Sequence, residues 1–305
     1  MENPEALPSE LQHAVVRLEE IRKELFDRGL KNGLIAAPAC FAGAVVLFLV
    51  SGEPVVPLLL MALGVFLIFY CIGSQSKELS ARYKSDVIAP LVDSFCSGAS
   101  YEPYQGISRD DFCNSGIFTS PDRYHSEDFV SGTMGQTRFC FSEVRAEERR
   151  TRTNGKRVQT YYVDIFRGFM FIADFHKDFS GYTAVRRDAI IKWGFGGPKR
   201  VKLENVEFEN IFDVFSTDEI EAKYILTPRM MERFVDVHRA FPGCQAAFRD
   251  SCVYISIPDA TDHFEASVWR SVIGDRSILY DITVLRSLFM LVDRLDLNTR
   301  IWTKE

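Results

Sequence analysis

The sequence predicts an α+β protein: an N-terminal transmembrane helical hairpin followed by a cytoplasmic domain with a mostly antiparallel sheet and flanking helices. Three observations predict it. Residues 33–73 are apolar or small except for one carboxylate, Glu53, while both flanks are rich in charge. From about residue 101, stretches of strand character are separated by turn residues such as Asn154-Gly155. Three- and four-residue apolar spacing then returns between about 219 and 296, the signature of amphipathic helices. The boundaries that follow are 1–32 for a cytoplasmic amphipathic helix, 33–73 for the hairpin, 74–98 for a juxtamembrane helix and 99–305 for the soluble domain. A division of that domain into two subdomains is marked near 193–200, where Trp193-Gly194-Phe195-Gly196-Gly197-Pro198 reads as loop.

In the first segment, Leu11, Val15, Leu18, Ile21 and Leu25 recur at helical steps behind Ser9, an N-cap residue type. Such a helix could bind a partner, but packing against its own domain or the second juxtamembrane helix is the plainer account. The two spans, 33–50 and 55–73, hold nine and twelve Leu, Ile, Val or Phe residues and no charge. Eighteen or so apolar residues cross a hydrocarbon core of ~30 Å. At roughly −0.3 to −0.6 kcal/mol per such residue, each span inserts favourably by several kcal/mol. Pro38 weakens the first span near its start, and Ser51-Gly52-Glu53-Pro54 supplies helix breakers for a tight reversal. Arg17, Arg22, Lys23, Arg28 and Lys31 precede the hairpin and Lys77, Arg82 and Lys84 follow it, while the turn has no cation. The positive-inside rule therefore places both chain ends in the cytoplasm. The charged first thirty residues do not read as a secretory signal.

The second span is expected to continue into a helix over 76–95, with Leu79, Tyr83, Val87, Leu91 and Phe95 on one face and a kink at Pro90. Strands are expected from 101 to 188, including a hairpin of 138–149 and 157–165 around Asn154-Gly155, then a further strand over 169–175 entered through Gly168. After the loop, 207–215 reads as strand and Ser216-Thr217-Asp218 as a cap. Helices are expected over 219–226 and 228–240, strands over 245–248 and 252–257, and a last helix over 281–296.

The net charge of −6 argues against a nucleic-acid partner. Seven cysteines without CxxC pairs or zinc-type Cys/His spacing suit reduced, mostly buried thiols, and no cofactor or metal motif is present. A low-specificity polar cluster comprises Glu127, Asp128 and Glu143, and a second Asp174 and His176 with Asp178. Their carboxylates and imidazoles could serve acid/base chemistry or bind a cation. Turn hydrogen bonds and a solvated strand end account for the same residues. Ser216 reads as a capping residue, with no recognisable base for a nucleophile, and the Gly194 loop fits neither a P-loop nor a dinucleotide fingerprint. More telling is the concentration of Arg145, Arg149, Arg150, Arg152, Lys156 and Arg157 around one hairpin tip, diluted by Glu147 and Glu148. A second basic stretch runs through Arg186, Arg187, Lys192, Lys199, Arg200 and Lys202. Each cation near an anionic leaflet contributes ~1 kcal/mol, so Arg149, Arg150, Arg152, Lys156 and Arg157 are candidate membrane-facing residues. Solvated tips without lipid contact are the alternative.

Several phrases carry a resemblance: Asp122-Arg123-Tyr124 with Glu127-Asp128 and Gly132, Phe141-Ser142-Glu143-Val144, and the stretch 169–177. Leu203-Glu204 with Glu207-Phe208-Glu209, Phe212 with Ser216-Thr217-Asp218 and Glu221-Ala222, and Ile225-Leu226-Thr227-Pro228 extend it. Phe264-Glu265 and Leu297-Asn298-Thr299-Arg300-Ile301-Trp302 complete it. On these the chain resembles the bacterial domain-of-unknown-function family 3137. The resemblance implies an inner-membrane protein with a cytoplasmic domain and a membrane-protein partner, and it brings no catalytic residues. The function expected is a membrane-anchored interaction or scaffold module whose partners are the lipid bilayer and a membrane protein. The alternative is a membrane-tethered hydrolase using the acidic/His groups.

Overall fold

A computed structural model of the chain describes residues 9–154, 157–187 and 197–297. These form two compact units. The first comprises the described residues up to Leu91 together with Asp262–Thr283; the second comprises Val92–Thr261 and the described residues from Val284 onward.

In the first unit, helix α1 (Ser9–Ala36) is followed after one residue by α2 (Pro38–Ser51), then α3 (Val55–Gly73) and α4 (Ser76–Tyr83). Pro38 lacks an N–H and opens α2, where no donor is required of it. The bonds Ala37 N–H to Gly33 O (2.9 Å) and Phe41 N–H to Ala37 O (3.2 Å) carry the ladder across the break. The first apolar span is therefore the end of α1 plus α2, joined without a loop to the amphipathic part. A π-helical turn (Lys84–Ile88) and α5 (Ala89–Phe95) continue the second. Ala89 N–H bonds to Lys84 O, five residues back. That wider turn precedes Pro90, whose ring would crowd a regular α-helical carbonyl. Both helical runs contain a segment long and apolar enough to cross a membrane.

Close approach of α1 to α3 rests on two glycines. A Cβ on Gly29 would stand 2.6 Å from the Ile72 Cα, and one on Gly33 would stand 2.7 Å from the Ile68 Cα. Their four-residue spacing is the small-xxx-small arrangement that lets helix backbones touch. Arg28 pairs with Glu78 of α4 at 3.1 Å, and Leu18, Leu25, Leu79 and Tyr83 are buried. The N-terminal helix thus packs along the second helical run, as the plainer account required.

The second unit is built on one nine-stranded antiparallel sheet. Its strands are β1 (Ser100–Glu102), β2 (Arg123–Met134), β3 (Thr137–Asn154), β4 (Arg157–Asp174), β5 (Thr183–Arg186), β6 (Lys199–Val201), β7 (Asp213–Ser216), β8 (Gln245–Arg249) and β9 (Cys252–Pro258). The order is β1-β2-β3-β4-β9-β8-β5-β7-β6. Strands from both sides of 193–200 thus share a sheet, because β5 lies between β8 and β7. Of that loop, residues 193–196 lie outside the described residues. Alternation along β3 sends Val144 and Ala146 into a cluster with Ile107, Phe112, Ile117, Phe166 and Met170. Phe139 and Phe141 point the other way, with ring centres 5.6 and 5.5 Å from Phe289 of α10 (Arg276–Arg294).

Three sequence expectations need correction. A helix, α6 (Arg109–Asn114), interrupts the strand region, because the Ser108 side chain accepts from Asp111 N–H and starts it. Residues 206–211 are helix α7 (Val206–Ile211) rather than strand, with Asn205 capping Phe208 N–H at 3.0 Å. The buried pair Phe208 and Phe212, four apart, was the helical signal. Lastly, 157–165 and all but the last residue of 169–175 belong to one 18-residue strand. Gly168 sits within it at φ +142°, where a Cβ would stand 2.1 Å from Ile257 O, so the glycine admits β9 rather than ending β4. Helices α8 (Glu219–Ile225) and α9 (Pro228–Ala240) follow expectation: Asp218 caps Ile220 and Glu221, and Thr227 caps Met230.

Candidate functional site

The β3–β4 hairpin is longer than the strands beside it. β2 pairs with β3 only up to Glu147, and β9 pairs with β4 only from Gly168. Beyond the Glu148–Val163 pair the ladder joins only β3 and β4, as far as Asn154–Arg157. At ~3.4 Å per residue this ribbon reaches about 20 Å past its neighbours. A register shift between Ala146 and Glu147 marks its root. Arg150 faces Tyr161, and Arg152 faces Gln159, on one side; Arg149 faces Tyr162 on the other. Arg149, Arg150, Arg152 and Tyr161 are exposed. The root is braced by the Arg123 guanidinium, 3.4 Å above the Tyr162 ring, and by Arg149 N–H donating to Asp122 at 2.7 Å. Lys156 and the Gly155 of the turn lie outside the described residues. Arg157 pairs with Asn154 through its backbone.

The acidic and histidine residues divide into two places. Glu127 and Glu143 are direct cross-strand partners on β2 and β3, and Glu143 is buried. Asp128, at φ 58°, occupies the irregularity where the β2–β3 register shifts; its buried carboxylate accepts from the Tyr101 hydroxyl. His125 lies 3.3 Å from Glu127. Asp174 instead pairs with Arg138 at 2.9 Å, and the His176 ring packs on Phe175 at 4.5 Å. Arg138 is five residues from Glu143 along β3, about 17 Å at strand rise. The two groups do not converge. Among the described residues no three His, Cys, Asp or Glu side chains are grouped to hold a metal ion.

The second basic stretch is not a surface patch throughout. Arg186 is buried, donating to Ile117 O and, at 3.3 Å, to Gln245, and burial lowers its pKa. Arg200 pairs with Asp213 at 2.5 Å, and Lys192 lies outside the described residues.

Sequence reasoning missed three arrangements. An open groove of about 740 Å³ near the ribbon root is lined by Arg109, Asp122, Arg123, His125, Arg145 and Glu147. In the first unit, Asp281 is buried between His263 (2.8 Å) and the Tyr83 hydroxyl (3.1 Å). Also there, Glu19 accepts from Arg22 (2.7 and 2.9 Å) and from Val272 N–H (2.8 Å), while Arg22 donates to Val268 O (2.8 Å). The Arg22 bond, assisted by the Val272 N–H, outweighs burial and holds the Glu19 carboxyl down at about 2. Only the i, i+3 spacing of Glu19 and Arg22 was visible beforehand; their partners lie some 250 residues away in sequence.

Residues 164–297 match the model of a family described as "Protein of unknown function (DUF3137)". That range takes in the phrases from 169 to Phe264-Glu265 and leaves those at 122–144 outside. No curated protein matches the chain. Among solved structures it is similar to the crystal structure of the mycobacterial trehalose monomycolate transport factor A, TtfA, at 11% identity and a TM-score of 0.35, covering 70% of this chain and 94% of that one.

Proposed function

We propose that this chain, assigned to the DUF3137 family through residues 164–297, is an inner-membrane interaction module. Its hairpin holds it in the bilayer, both ends lie in the cytoplasm, and its arginine-rich ribbon binds anionic headgroups of the inner leaflet. The observation that carries the anchor is the outer surface of the two spans. Leu49, Val50, Leu58, Leu59 and Phe66 are 77%, 80%, 62%, 65% and 61% exposed, an apolar surface far larger than a water-soluble protein leaves bare. A hydrocarbon surrounding satisfies it, and the backbone there is already bonded within helices.

Support for headgroup binding is the composition and reach of the ribbon. Arg149, Arg150, Arg152, Lys156 and Arg157 offset Glu147 and Glu148, and each cation near a charged leaflet contributes ~1 kcal/mol. A hydrolase built on Glu127, Asp128, Glu143, Asp174 and His176 has no such support, since the first three sit on β2 and β3 and the other two apart from them, at and just past the end of β4.

The test uses the full chain. Alkaline carbonate should leave it in the membrane pellet, and a Ser51→Cys probe should react with impermeant maleimide only from outside the cell. In nanodiscs, a fluorophore on Thr151→Cys should be quenched by labelled lipid when the discs contain phosphatidylglycerol, and Arg150→Glu/Arg152→Glu should abolish that quenching. Release by carbonate refutes the anchor. Quenching indifferent to lipid charge refutes the headgroup reading, and a membrane protein cross-linked to the ribbon would put a protein partner in its place.

A further inference from the structure

We infer that the loop 267–275, far along the chain from the hairpin, is a second membrane contact, with Trp269 and Ile273 seated at the headgroup–acyl boundary of the phospholipid bilayer. The inference rests on the membrane-anchored reading and deepens it. Trp269 is 45% exposed and Ile273 54% exposed, although both are large and apolar and the loop is firmly held. Arg22 bonds to Val268 O, Glu19 to Val272 N–H, and Ser76 accepts from Val268 N–H at 3.4 Å. Ser80 both donates to Ala266 O and accepts from Ala266 N–H, each at 3.1 Å. The two side chains are therefore presented by a braced backbone.

Their level relative to the spans follows from what Trp269 touches. Its ring stacks on Phe69 at 5.6 Å and meets the edge of Phe26 at 5.8 Å. A Cβ on Gly73 would stand 3.7 Å from the Trp269 Nε1. Phe69 and Gly73 form the last turn of the second span. On the facing helix, Gly29 and Gly33 meet Ile72 and Ile68, and exposed Lys31 lies between them. An exposed ammonium at that height marks the edge of the hydrocarbon, because lysine is costly deeper in the bilayer. Trp269 thus sits where apolar span gives way to charge, the zone that tryptophan favours because its ring is apolar and its N–H needs a polar partner. Exposed Arg270 beside it and Lys77 on α4 supply cations for lipid phosphates.

The experiment reads Trp269 fluorescence from the full chain in nanodiscs, in a Trp193→Phe/Trp302→Phe background. Nitroxide lipids labelled near the headgroup should quench it about twofold more than lipids labelled deep in the acyl chain, with little quenching by aqueous iodide. The control is Phe66→Trp with all three native tryptophans changed to Phe, which should be quenched best by the deep label. If the control behaves so and Trp269 responds only to iodide, the loop inference fails and the anchor stands. A Trp269 quenched best by the deep label also refutes the boundary placement. If neither is quenched by lipid, the anchor and the loop contact both fall.

Discussion

Replacing Glu19 by Gln keeps the side chain's shape and removes its charge, leaving the partly buried Arg22 without an ionic partner. A carboxyl held at about 2 instead of 4.5 corresponds to about 3 kcal/mol, at ~1.4 kcal/mol per tenfold. That agrees with the ~3–5 kcal/mol typical of breaking a buried ion pair from one side. Glu19 is 4% exposed, so solvent screening does not reduce the figure much. Because the bonds of Glu19 and Arg22 end on Val272 and Val268, the loss should appear as local opening of that loop. Hydrogen exchange at the Val272 amide should accelerate on the order of 100-fold in Glu19→Gln. The depressed folded-state value also fixes the pH dependence. The contribution is complete above the ordinary value of 4.5 and is lost as the pH falls towards 2, so protection should persist in mild acid and fail below it. Unchanged exchange at Val272, or equal acceleration by Glu20→Gln at the exposed neighbouring carboxylate, would refute the reasoning.

Gly33→Ala should lower the thermal midpoint of the protein in mild detergent, at a cost of about 1–3 kcal/mol, because its Cβ meets backbone; Gly43→Ala, whose nearest atom is Leu60 Cδ1 at 3.9 Å, should not. Phe289→Ala removes the ring that meets Phe95, Phe139 and Phe141 and should cost about 3–5 kcal/mol in urea unfolding; a loss below about 1 kcal/mol would contradict that packing. Burial pushes the Cys244 thiol from 9.0 up to about 12, so at pH 8 its alkylation in the native protein should run roughly 1,000-fold slower than in urea, as mass spectrometry can measure.

Local rules reached the features that depend on near neighbours in sequence. The uncharged spans, the Asp218 cap and the antiparallel hairpin needed only composition and spacing. Phe208 and Phe212 show how two such rules compete: their run of apolar and acidic residues reads as strand until the Asn205 cap is recognised. Gly168 misled for a different reason, since its role is set by Ile257 on a strand some 90 residues later. Arg186 looked like surface charge because nothing local shows that Ile117 and Gln245 enclose it. The polar candidates were legible as residues but not as a site, because distance along β3 separates Glu143 from the Arg138 that holds Asp174. Trp269 was overlooked altogether, as its partners Phe26 and Phe69 lie about 200 residues earlier in the chain.

The membership of 262–283 in the same unit as the N-terminal helices has a consequence for biosynthesis. Roughly 190 residues separate Gly73 from Asp262, which a ribosome takes on the order of 10–40 s to make at ~5–20 residues per second. During that interval the hairpin can already be in the membrane while Glu19, Arg22, Ser80 and Tyr83 still lack their later partners. The juxtamembrane region is completed only after the whole sheet has been translated. Chains terminated before residue 262 would carry both apolar helical runs but leave Glu19, Arg22, Ser80 and Tyr83 without the partners that residues 266–281 supply.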